Sequence, residues 1–312
     1  IIIKHTNPCG VSINKDHLKS YQYALACDPL SAFGGIICCN YKVKSKLAKE
    51  INKLFFEVVV ANGFGKDALK ILKRKKNLRI IDSSKIQKID IQNFITNFNM
   101  LLIQNSDINH FTKRNFKIVS KKKPNSKTLK SLIFAFNICR FVKSNSIVLV
   151  KNDSTVGIGG GQPSRVDSCQ IAINKMNNFQ NINENDEIVA ASDAFFPFVD
   201  GFEKLVQAGV SAIIQPSGSI RDKEIIKFAN ETKTILVFSK TRHLNIKKFI
   251  NLSSKNKITF MQTFYCMCKY FYFCVTPAKP YVRMMPFLFC DFPYFIYKHL
   301  TFFKIFKFKF FN

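Results

Sequence analysis

Up to about residue 245, the chain alternates short apolar runs with stretches of helical spacing. Short apolar runs bounded by turn residues are typical of buried strands. The runs that we interpret as strands are residues 1–3, 36–39, 58–61, 101–104, 147–151, 188–191, 212–215 and 235–238. Strand–helix–strand alternation of this kind predicts a layered α/β fold.

Two stretches between the strands have the i, i+3, i+4, i+7 spacing of a buried helix face. The first contains Leu129, Leu132, Ile133, Phe136, Cys139 and Val142, with Asn125 or Ser126 as the expected N-cap. The second contains Phe202, Leu205 and Val206, and Gly209 is the expected end of that helix. The polar, Lys-rich segment 105–125 is interpreted as the connection between two halves. We therefore expect one subdomain over residues 1–120 and a second over residues 121–245.

Residues 246–312 have a different pattern, because their many aromatic and apolar residues follow neither period 2 nor period 3.6. Pro and Lys interrupt each apolar run before it reaches the roughly 20 residues that a membrane-spanning helix needs. We expect no membrane anchor here. We interpret the segment as an irregular, non-native tail, of the kind produced when A/T-rich DNA is translated past a lost stop codon or after a frameshift.

The net charge suggests a competing function. The 312 residues include 48 Lys and Arg against 20 Asp and Glu, which gives a formal net charge of +28. A basic protein can bind phosphate backbones by releasing counterions. However, the lysines are scattered, and Lys, Asn, Ile and Phe are the residues that A/T-rich codons encode. We therefore favour coding bias, and expect binding to duplex DNA to be weak and absent at physiological salt.

The composition excludes other classes of protein. With 47% hydrophobic and 22% charged residues, the chain is not a disordered tail protein. The 10 cysteines include no CxxC pair and His is scarce, so we expect reduced thiols and no structural zinc. The chain begins with Ile1 and has no signal peptide, so we interpret it as a piece of a longer, cytoplasmic protein.

Two early segments carry reactive side chains. Segment 4–7, KHTN, places a cation, an imidazole and an amide after the first apolar run, where Pro8 and Gly10 favour a turn. This segment is either a catalytic cluster or a capped strand end with a surface Lys. Segment 28–35, DPLSAFGG, is either a simple turn or a site where the Asp28 carboxylate binds a sugar hydroxyl.

Three later segments contain candidate binding residues. Segment 157–165, GIGGGQPSR, is expected to form a Gly-rich turn that opens a helix and cradles an anion beside Arg165. In segment 192–201, SDAFFPFVDG, three Phe lie between two acids and form either core or a slot for a flat heterocycle. Segment 215–222, QPSGSIRD, ends a strand with a polar turn suited to a ring amide or a carboxylate.

Several motifs occur together in one order. KHTNPCG, DPLSAFGGI, VKSNSIV, GIGGGQPSR, SDAFFPFVDG, IIQPSGSIRD and TRH follow one another over residues 1–244. In order and approximate spacing, they resemble the transformylase region of the AICAR transformylase/IMP cyclohydrolase family. The resemblance implies two cytidine-deaminase-like α/β units, with active sites formed across a homodimer interface. It also implies transfer of a formyl group from 10-formyltetrahydrofolate to the amine of AICAR, without a metal.

The resemblance also implies roles for individual residues. Lys4 and His5 match the family's catalytic Lys-His pair, and Asn145 matches its catalytic Asn. Asp28 matches an acid at the nucleotide ribose, and Arg165 matches an Arg at the nucleotide. The remaining substrate-binding residues that it implies are the folate-site run Phe195, Pro197 and Asp200, together with Gly161, Ser217, Gly218 and Arg242.

The chain departs from the family's pattern in several places. The family's cyclohydrolase domain and its RYGxNPHQ motif would precede Ile1. The sequence NFNM at 97–100 stands where the family has a Gly-Gly run, Pro163 replaces Met or Gln, and Ile246 stands at the place of a terminal His. Two alternatives therefore remain open, namely an inactive, degraded remnant and a basic nucleic-acid-binding module.

Overall fold

The computed structural model describes residues 1–86, 93–97, 100–104, 107, 111–183 and 185–243. These residues form two larger sheets, a separate hairpin and a set of helices, which confirms the predicted α/β class. The strands are β1 (Ile2–Lys4), β2 (Asn7–Gly10), β3 (Gly35–Cys39), β4 (Phe56–Ala61), β5 (Arg79–Asp82), β6 (Asn93–Asn97), β7 (Met100–Gln104), β8 (Phe116–Ile118), β9 (Ile147–Lys151), β10 (Ser154–Gly159), β11 (Ile188–Ser192), β12 (Val210–Pro216) and β13 (Ile235–Ser239). The α-helices are α1 (His17–Ala26), α2 (Pro29–Ala32), α3 (Ser45–Ile51), α4 (Lys66–Leu72), α5 (Ser126–Cys139), α6 (Arg165–Phe179), α7 (Val199–Gln207) and α8 (Asp222–Glu231).

The first sheet has the strand order β2-β1-β3-β4-β5. Strands β3, β4 and β5 are parallel, and α3 and α4 make the crossovers that parallel neighbours require. Strand β1 runs antiparallel to β3, with Ile2 opposite Ile37. Ile37, Val59 and Leu72 are buried in the core that this sheet shares with its helices.

The second sheet has the order β10-β9-β11-β12-β13-β8, with a parallel centre of β11, β12 and β13. Both of its faces are covered. Ile147 and Leu149 of β9 contribute to the core that contains residues of α6, α7 and α8, whereas Val148 and Val150 pack in the core of α5. Burial on both faces explains why the central strands are continuous apolar runs without polar alternation.

Backbone pairing joins the two sheets. The chain that leaves β2 runs beside β10, where the Thr155 amide donates to the Val11 carbonyl over 2.9 Å. The Val11 amide donates in turn to the Thr155 hydroxyl over 2.9 Å. The Ile13 amide donates to the Asp153 carbonyl over 3.0 Å. This pairing lies between residues that are far apart in sequence, and it fixes one sheet edge against the other.

Every apolar run that we predicted as a strand overlaps one of the observed strands, so these predictions are confirmed. Helix α5 has the predicted N-cap, since the Asn125 side chain accepts from the Thr128 amide over 2.8 Å. Helix α7 is followed by Gly209 with φ +85°, the left-handed conformation that glycine adopts readily at a helix end. Sequence reasoning missed β2, β5, β6, β8 and β10.

The interpretation of 105–125 as a plain connection was wrong in one part. Residues Phe116–Ile118 form β8, which pairs with β13 at the edge of the second sheet, with Ile118 opposite Val237. Phe111 is also buried in a core. The predicted tail, 246–312, lies outside the described residues. Among the helices of the described part, none combines the length and the apolar character needed to cross a membrane.

Candidate functional site

Loops from five strands meet at one edge of the second sheet, the edge at which the parallel strands β11, β12 and β13 have their carboxyl ends. Ile147, at the start of β9, lies opposite Ser192 at the end of β11 and Gly159 at the end of β10. Strands β12 and β13 run parallel to β11 and end at the same edge. This edge therefore collects most of the predicted site residues, namely Asn145, Gly161, Arg165, Phe195, Pro197, Ser217, Gly218 and Arg242.

Arg165, the first residue of α6, lies at the centre of a buried network. Its Nη1 donates to Asp193 Oδ1 over 2.6 Å and to Ser192 Oγ over 2.7 Å. Its Nη2 donates to Asn145 Oδ1 over 2.7 Å. The side chains of Arg165 and Asp193 are 8% and 0% exposed. A planar guanidinium serves this role well, because its donors point in fixed directions towards several acceptors.

Asn145 connects this network to the turn after β10. Its side-chain nitrogen donates to the carbonyls of Gln162 and Pro163 over 2.9 and 2.8 Å. An amide nitrogen has two hydrogens, so both are used by the protein itself. Because its oxygen accepts from Arg165, Asn145 holds the 160–164 turn and the guanidinium in one arrangement.

The Gly-rich segment is only partly a turn, so the prediction for 157–165 was wrong in its first half. Gly157 and Gly159 lie within β10. A Cβ built on Gly159 would be 1.9 Å from the Ser168 carbonyl oxygen, so glycine here permits close packing of α6 on the strand. The turn itself contains Gly161 at φ +75°, whose amide donates to the Lys143 carbonyl over 2.6 Å.

Lys4 and His5 lie at a two-residue hairpin turn between β1 and β2. His5 and Thr6 occupy it with φ of 50° and 63°, as in a type I′ hairpin turn. The expectation that Pro8 and Gly10 make the turn was wrong, because both lie in β2. The turn brings Lys4 Nζ to the Phe33 carbonyl, to which it donates over 2.7 Å, and leaves His5 exposed.

A hydrogen bond joins this hairpin to the second sheet. The Lys143 amide donates to Asn7 Oδ1 over 3.0 Å. The Lys143 carbonyl also accepts from the Gly161 amide. Lys143 lies two residues before Asn145 in the chain. The structure therefore brings the hairpin with Lys4 and His5 beside the loop that carries Asn145, although about 140 residues separate them in sequence.

Asp28 is buried and already has partners. Its Oδ1 accepts from the Ser31 amide over 2.9 Å and caps α2. Its Oδ2 lies 2.8 Å from Lys175 Nζ, and the Asp28 side chain is only 3% exposed. Burial alone would raise the pKa of Asp28, but Lys175 and Ser31 more than offset this and the pKa falls below its usual value. Asp28 is therefore an ionised carboxylate engaged within the protein.

The aromatic run after β11 divides between core and surface, so the core interpretation holds for Phe196 and the slot for a flat heterocycle stays a prediction. Phe196 is buried and packs edge-on against Phe202. Phe195 is half-buried beneath the guanidinium of Arg242, 4.7 Å from its ring centre. Phe198 is exposed beneath Arg221 in the same manner, at 4.8 Å. Two aromatic–cation pairs thus border the sheet edge.

The other predicted binding residues lie on the surface at or near this edge. Pro197 and Asp200 are exposed, and Asp200 Oδ1 accepts from the next amide in α7, that of Gly201, over 2.7 Å. The Ser217 amide donates to the Ser239 carbonyl over 3.0 Å, which holds the end of β12 against the end of β13. Gly218 has φ +110°, and its amide donates to Asp222 Oδ2 over 2.8 Å.

Sequence reasoning missed the role of one charged residue of the candidate site and missed another residue entirely. Asp193 was considered only as one of the two acids that flank the aromatic run, and its pairing with Arg165 was not predicted. Lys175 lies within a helix and nothing in its neighbourhood singles it out, yet it pairs with Asp28. In the described part of the chain, no group of three or more His, Cys, Asp or Glu side chains converges as a set of metal ligands.

The fold is that of an α/β protein, and loops gathered at the carboxyl ends of parallel strands are where such proteins commonly bind ligands. The AICARFT/IMPCHase bienzyme family model matches residues 1–175, more than half of the chain, and the chain belongs to this family. The matched part includes Lys4, His5, Asn145 and Arg165. The resemblance of the motifs is thereby confirmed.

Similar curated proteins agree with this assignment. The bifunctional purine biosynthesis protein PurH of Buchnera aphidicola subsp. Schizaphis graminum is 44% identical over 248 residues, which are 78% of this chain and 46% of that protein. PurH of Leptospira biflexa serovar Patoc is 44% identical over 246 residues, 78% of this chain and 47% of that protein. PurH of Persephonella marina is 42% identical over the same share of each chain. The chain spans about half the length of the curated relatives it matches.

Proposed function

We propose that this chain carries the formyltransferase activity of a bifunctional purine biosynthesis enzyme. The formyl group moves from 10-formyltetrahydrofolate to the amine of AICAR, in the cytoplasm and at a site completed by a homodimer. We assign the IMP cyclohydrolase activity to the part of the bifunctional relatives that this chain does not match, since the chain spans about half of their length. The observation that carries the proposal is the hydrogen bond from Lys143 to Asn7, which joins the Lys4-His5 hairpin to the Asn145 loop.

His5 is the general base in this proposal. The amine of AICAR is a weak nucleophile, so its proton must leave as the nitrogen attacks the formyl carbon. The N–C bond to AICAR forms, the bond from the formyl carbon to N10 of the folate breaks, and the proton reaches the departing N10. The exposed imidazole at the tip of a tight turn is accessible to such a substrate.

Lys4 is the donor to the formyl oxygen. An ammonium group has three hydrogens, and one of those of Lys4 is used by the Phe33 carbonyl. The others can stabilise the negative charge that develops on the oxygen in the transition state. Asn145 has both amide hydrogens engaged with Gln162 and Pro163. This supports a division of roles in which Lys4 acts on the substrate and Asn145 positions the loop.

The surroundings support separate regions for the two substrates. The half-buried Phe195 ring beneath Arg242 offers a flat apolar face with a cation above it, which suits the heterocycle and carboxylates of a folate. Pro197, Asp200, Ser217 and Gly218 extend this surface. Arg165 and Asp28 are buried and have protein partners, which supports an indirect contribution to nucleotide binding through the loops that they hold.

The test is His5→Ala in a chain extended at its N-terminus to the length of the relatives. We expect formyl transfer to be lost while AICAR still binds, because the base is removed and the nucleotide contacts remain. His5→Gly is a second variant, since glycine adopts the positive φ of this position without strain. His17→Ala, at a ring stacked on Tyr41, is the matched control and should retain turnover.

Several outcomes distinguish the alternatives. Unchanged turnover in both His5 variants contradicts the role given to His5. A Lys4→Met change should act on the same step, so the double variant should lose less than the sum of the two. If the extended parent chain binds AICAR but has no turnover, the inactive-remnant alternative is supported instead.

A further inference from the structure

We propose that Lys175 is a positioning residue for Lys4, acting through Asp28 and the short helix α2. The proposal rests on the proposed function only for what Lys4 does once it is positioned. The contacts themselves run through three links, from Lys175 to Asp28, from Asp28 to α2, and from the end of α2 to Lys4.

The first link is the ion pair between α6 and the residue that precedes α2. Lys175 Nζ lies 2.8 Å from Asp28 Oδ2, with the two side chains 31% and 3% exposed. A buried carboxylate without a partner is costly, so the carboxylate and the ammonium hold each other's positions strongly. Burial by itself would raise the pKa of Asp28, but the pKa is lowered, and the contact with Lys175 is the largest cause of the lowering.

The second link is the cap that Asp28 provides. Helix α2 has only the four residues Pro29–Ala32, too few to be stable from helix formation alone. Its start is fixed by Asp28, which accepts from the Ser31 amide over 2.9 Å. Phe33, which follows α2, presents its carbonyl to Lys4 Nζ at 2.7 Å. The position of this acceptor therefore depends on the position of Asp28.

Helix α6 makes this a connection between the two halves of the site. Arg165 at its first residue holds Asn145 and Asp193 of the second sheet. Lys175, ten residues further along and about 15 Å away at 1.5 Å per residue, holds Asp28 beside the first sheet. One continuous helix thereby sets both the Asn145 loop and the turn that orients Lys4. Neutralising the charge of Asp28 would not by itself give Lys175 this positioning role.

Lys4, Asp28 and Lys175 all lie close enough to the Cys9 thiol to affect it. The pKa of the Cys9 thiol is raised, first by burial and then by Asp28, and it is opposed by Lys175 and Lys4. All three charged groups thus act on one buried sulfur in β2. A displacement of Lys175 therefore changes the electrostatic potential at Cys9, close to the side chain of Lys4.

The test compares Lys175→Met with Lys175→Arg in the full chain. Hydrogen exchange is measured at the Ser31 amide, and the order parameter of the Lys4 side chain is measured at its Cε group, by NMR of a ¹³C,¹⁵N-labelled protein. We expect at least tenfold faster exchange at Ser31 and an order parameter of Lys4 lowered by about half in the Met variant, and near-parent values in the Arg variant, which keeps charge and donors. The matched control is Lys130→Met, which removes a surface pair with Asp153 and should change neither signal.

Turnover of the N-terminally extended enzyme is the second measurement. We expect Lys175→Met to lower kcat at least tenfold with little change in the KM for AICAR, and Lys175→Arg to restore most of it. An unchanged order parameter of Lys4 in the Met variant overturns the proposal. A lowered order parameter of Lys4 without any change in kcat leaves the positioning role intact and contradicts the catalytic role of Lys4 instead.

A second variant tests the proposal if Lys175→Met alone does not fold. Asp28→Asn combined with Lys175→Met removes the buried charge, while Asn retains the ability to cap α2. We expect this variant to fold, with the order parameter of Lys4 still lowered by about half relative to the parent. If Lys4 in the double variant is as ordered as in the parent, Lys175 has no positioning role.

Discussion

Arg165 illustrates how one residue at this site is used. It is charged and almost fully buried, and its hydrogens go to Asn145, Ser192 and Asp193. Removing a charge from water is costly unless hydrogen bonds replace the lost hydration. Each of its observed partners therefore offsets part of the free-energy cost of burying this charge. The same partners fix three loops of the site against one another.

We predict that Arg165→Lys destabilises the protein although it conserves the charge. A single ammonium cannot reach Asp193 and Asn145 in the same geometry, so at least one charged hydrogen bond is lost, at about 1.5–3 kcal/mol. The free energy of unfolding from urea titrations measures this. Arg221→Lys is the control, because its pair with Glu224 is exposed and contributes less than about 1 kcal/mol. Equal losses in the two variants would contradict the role of the buried network.

Single residues also mark the limit of sequence reasoning about the site. Lys4 and His5 were identified because they lie in a motif beside a strand, and Asn145 through the resemblance to the family's catalytic Asn. Lys175 was not singled out and the pairing of Asp193 with Arg165 was not predicted, because both depend on partners that are distant in sequence. The two contacts of Asp28, as a helix cap and as an ion-pair partner, could not be predicted either. An Asp-Pro turn has the same sequence whether or not its carboxylate makes these contacts.

At the scale of elements, the central strands were predictable and the edge strands were not. β11, β12 and β13 are buried on both faces, so each contains a run of apolar residues. β5 and β8 lie at sheet edges, expose polar side chains and lack a continuous apolar run. β2 and β10 contain Pro or Gly, which indicate turns when the sequence is considered alone.

The glycines of β10 give a prediction at this scale. Gly159→Ala places a Cβ 1.9 Å from a backbone oxygen of α6, so helix and strand must separate. We expect a loss of about 3 kcal/mol or more in the free energy of unfolding. Gly209→Ala is the matched comparison, since Gly209 has open space but a φ of +85°, and we expect about 1–2 kcal/mol there from backbone strain. A larger loss at Gly209 would contradict the close-packing argument.

At the scale of the whole molecule, His243 joins distant parts of the chain. Its side chain is fully buried, with Nδ1 2.6 Å from Asp107 Oδ2. Its ring lies against Phe111 and Phe136, with centre distances of 4.8 and 4.4 Å. The segment before β8, helix α5 and the chain after β13 therefore meet at one imidazole.

This arrangement predicts a loss of stability in mild acid. Burial lowers the pKa of His243, with a smaller contribution from Arg140, although Asp107 and Asp193 oppose the shift. The unfolded chain therefore binds a proton more readily than the folded one, so the stabilisation is complete above about pH 6.5 and falls as the pH drops below it. Urea titrations between pH 7.5 and 5 should show this decline. His243→Phe should have a flatter profile over the same range, and an equally steep one would contradict the assignment.

The pairing of Val11 with Thr155 also governs when the site comes into existence during synthesis. The two residues are 144 positions apart, and β10 must leave the ribosome before the first sheet can join the second. At about 5–20 residues per second, the hairpin with Lys4 and His5 waits roughly 7–30 seconds for that partner. During this interval its edge is unpaired, as a long-range topology requires. A nascent chain stalled before Thr155 should therefore contain Lys4 and His5 without an assembled candidate site.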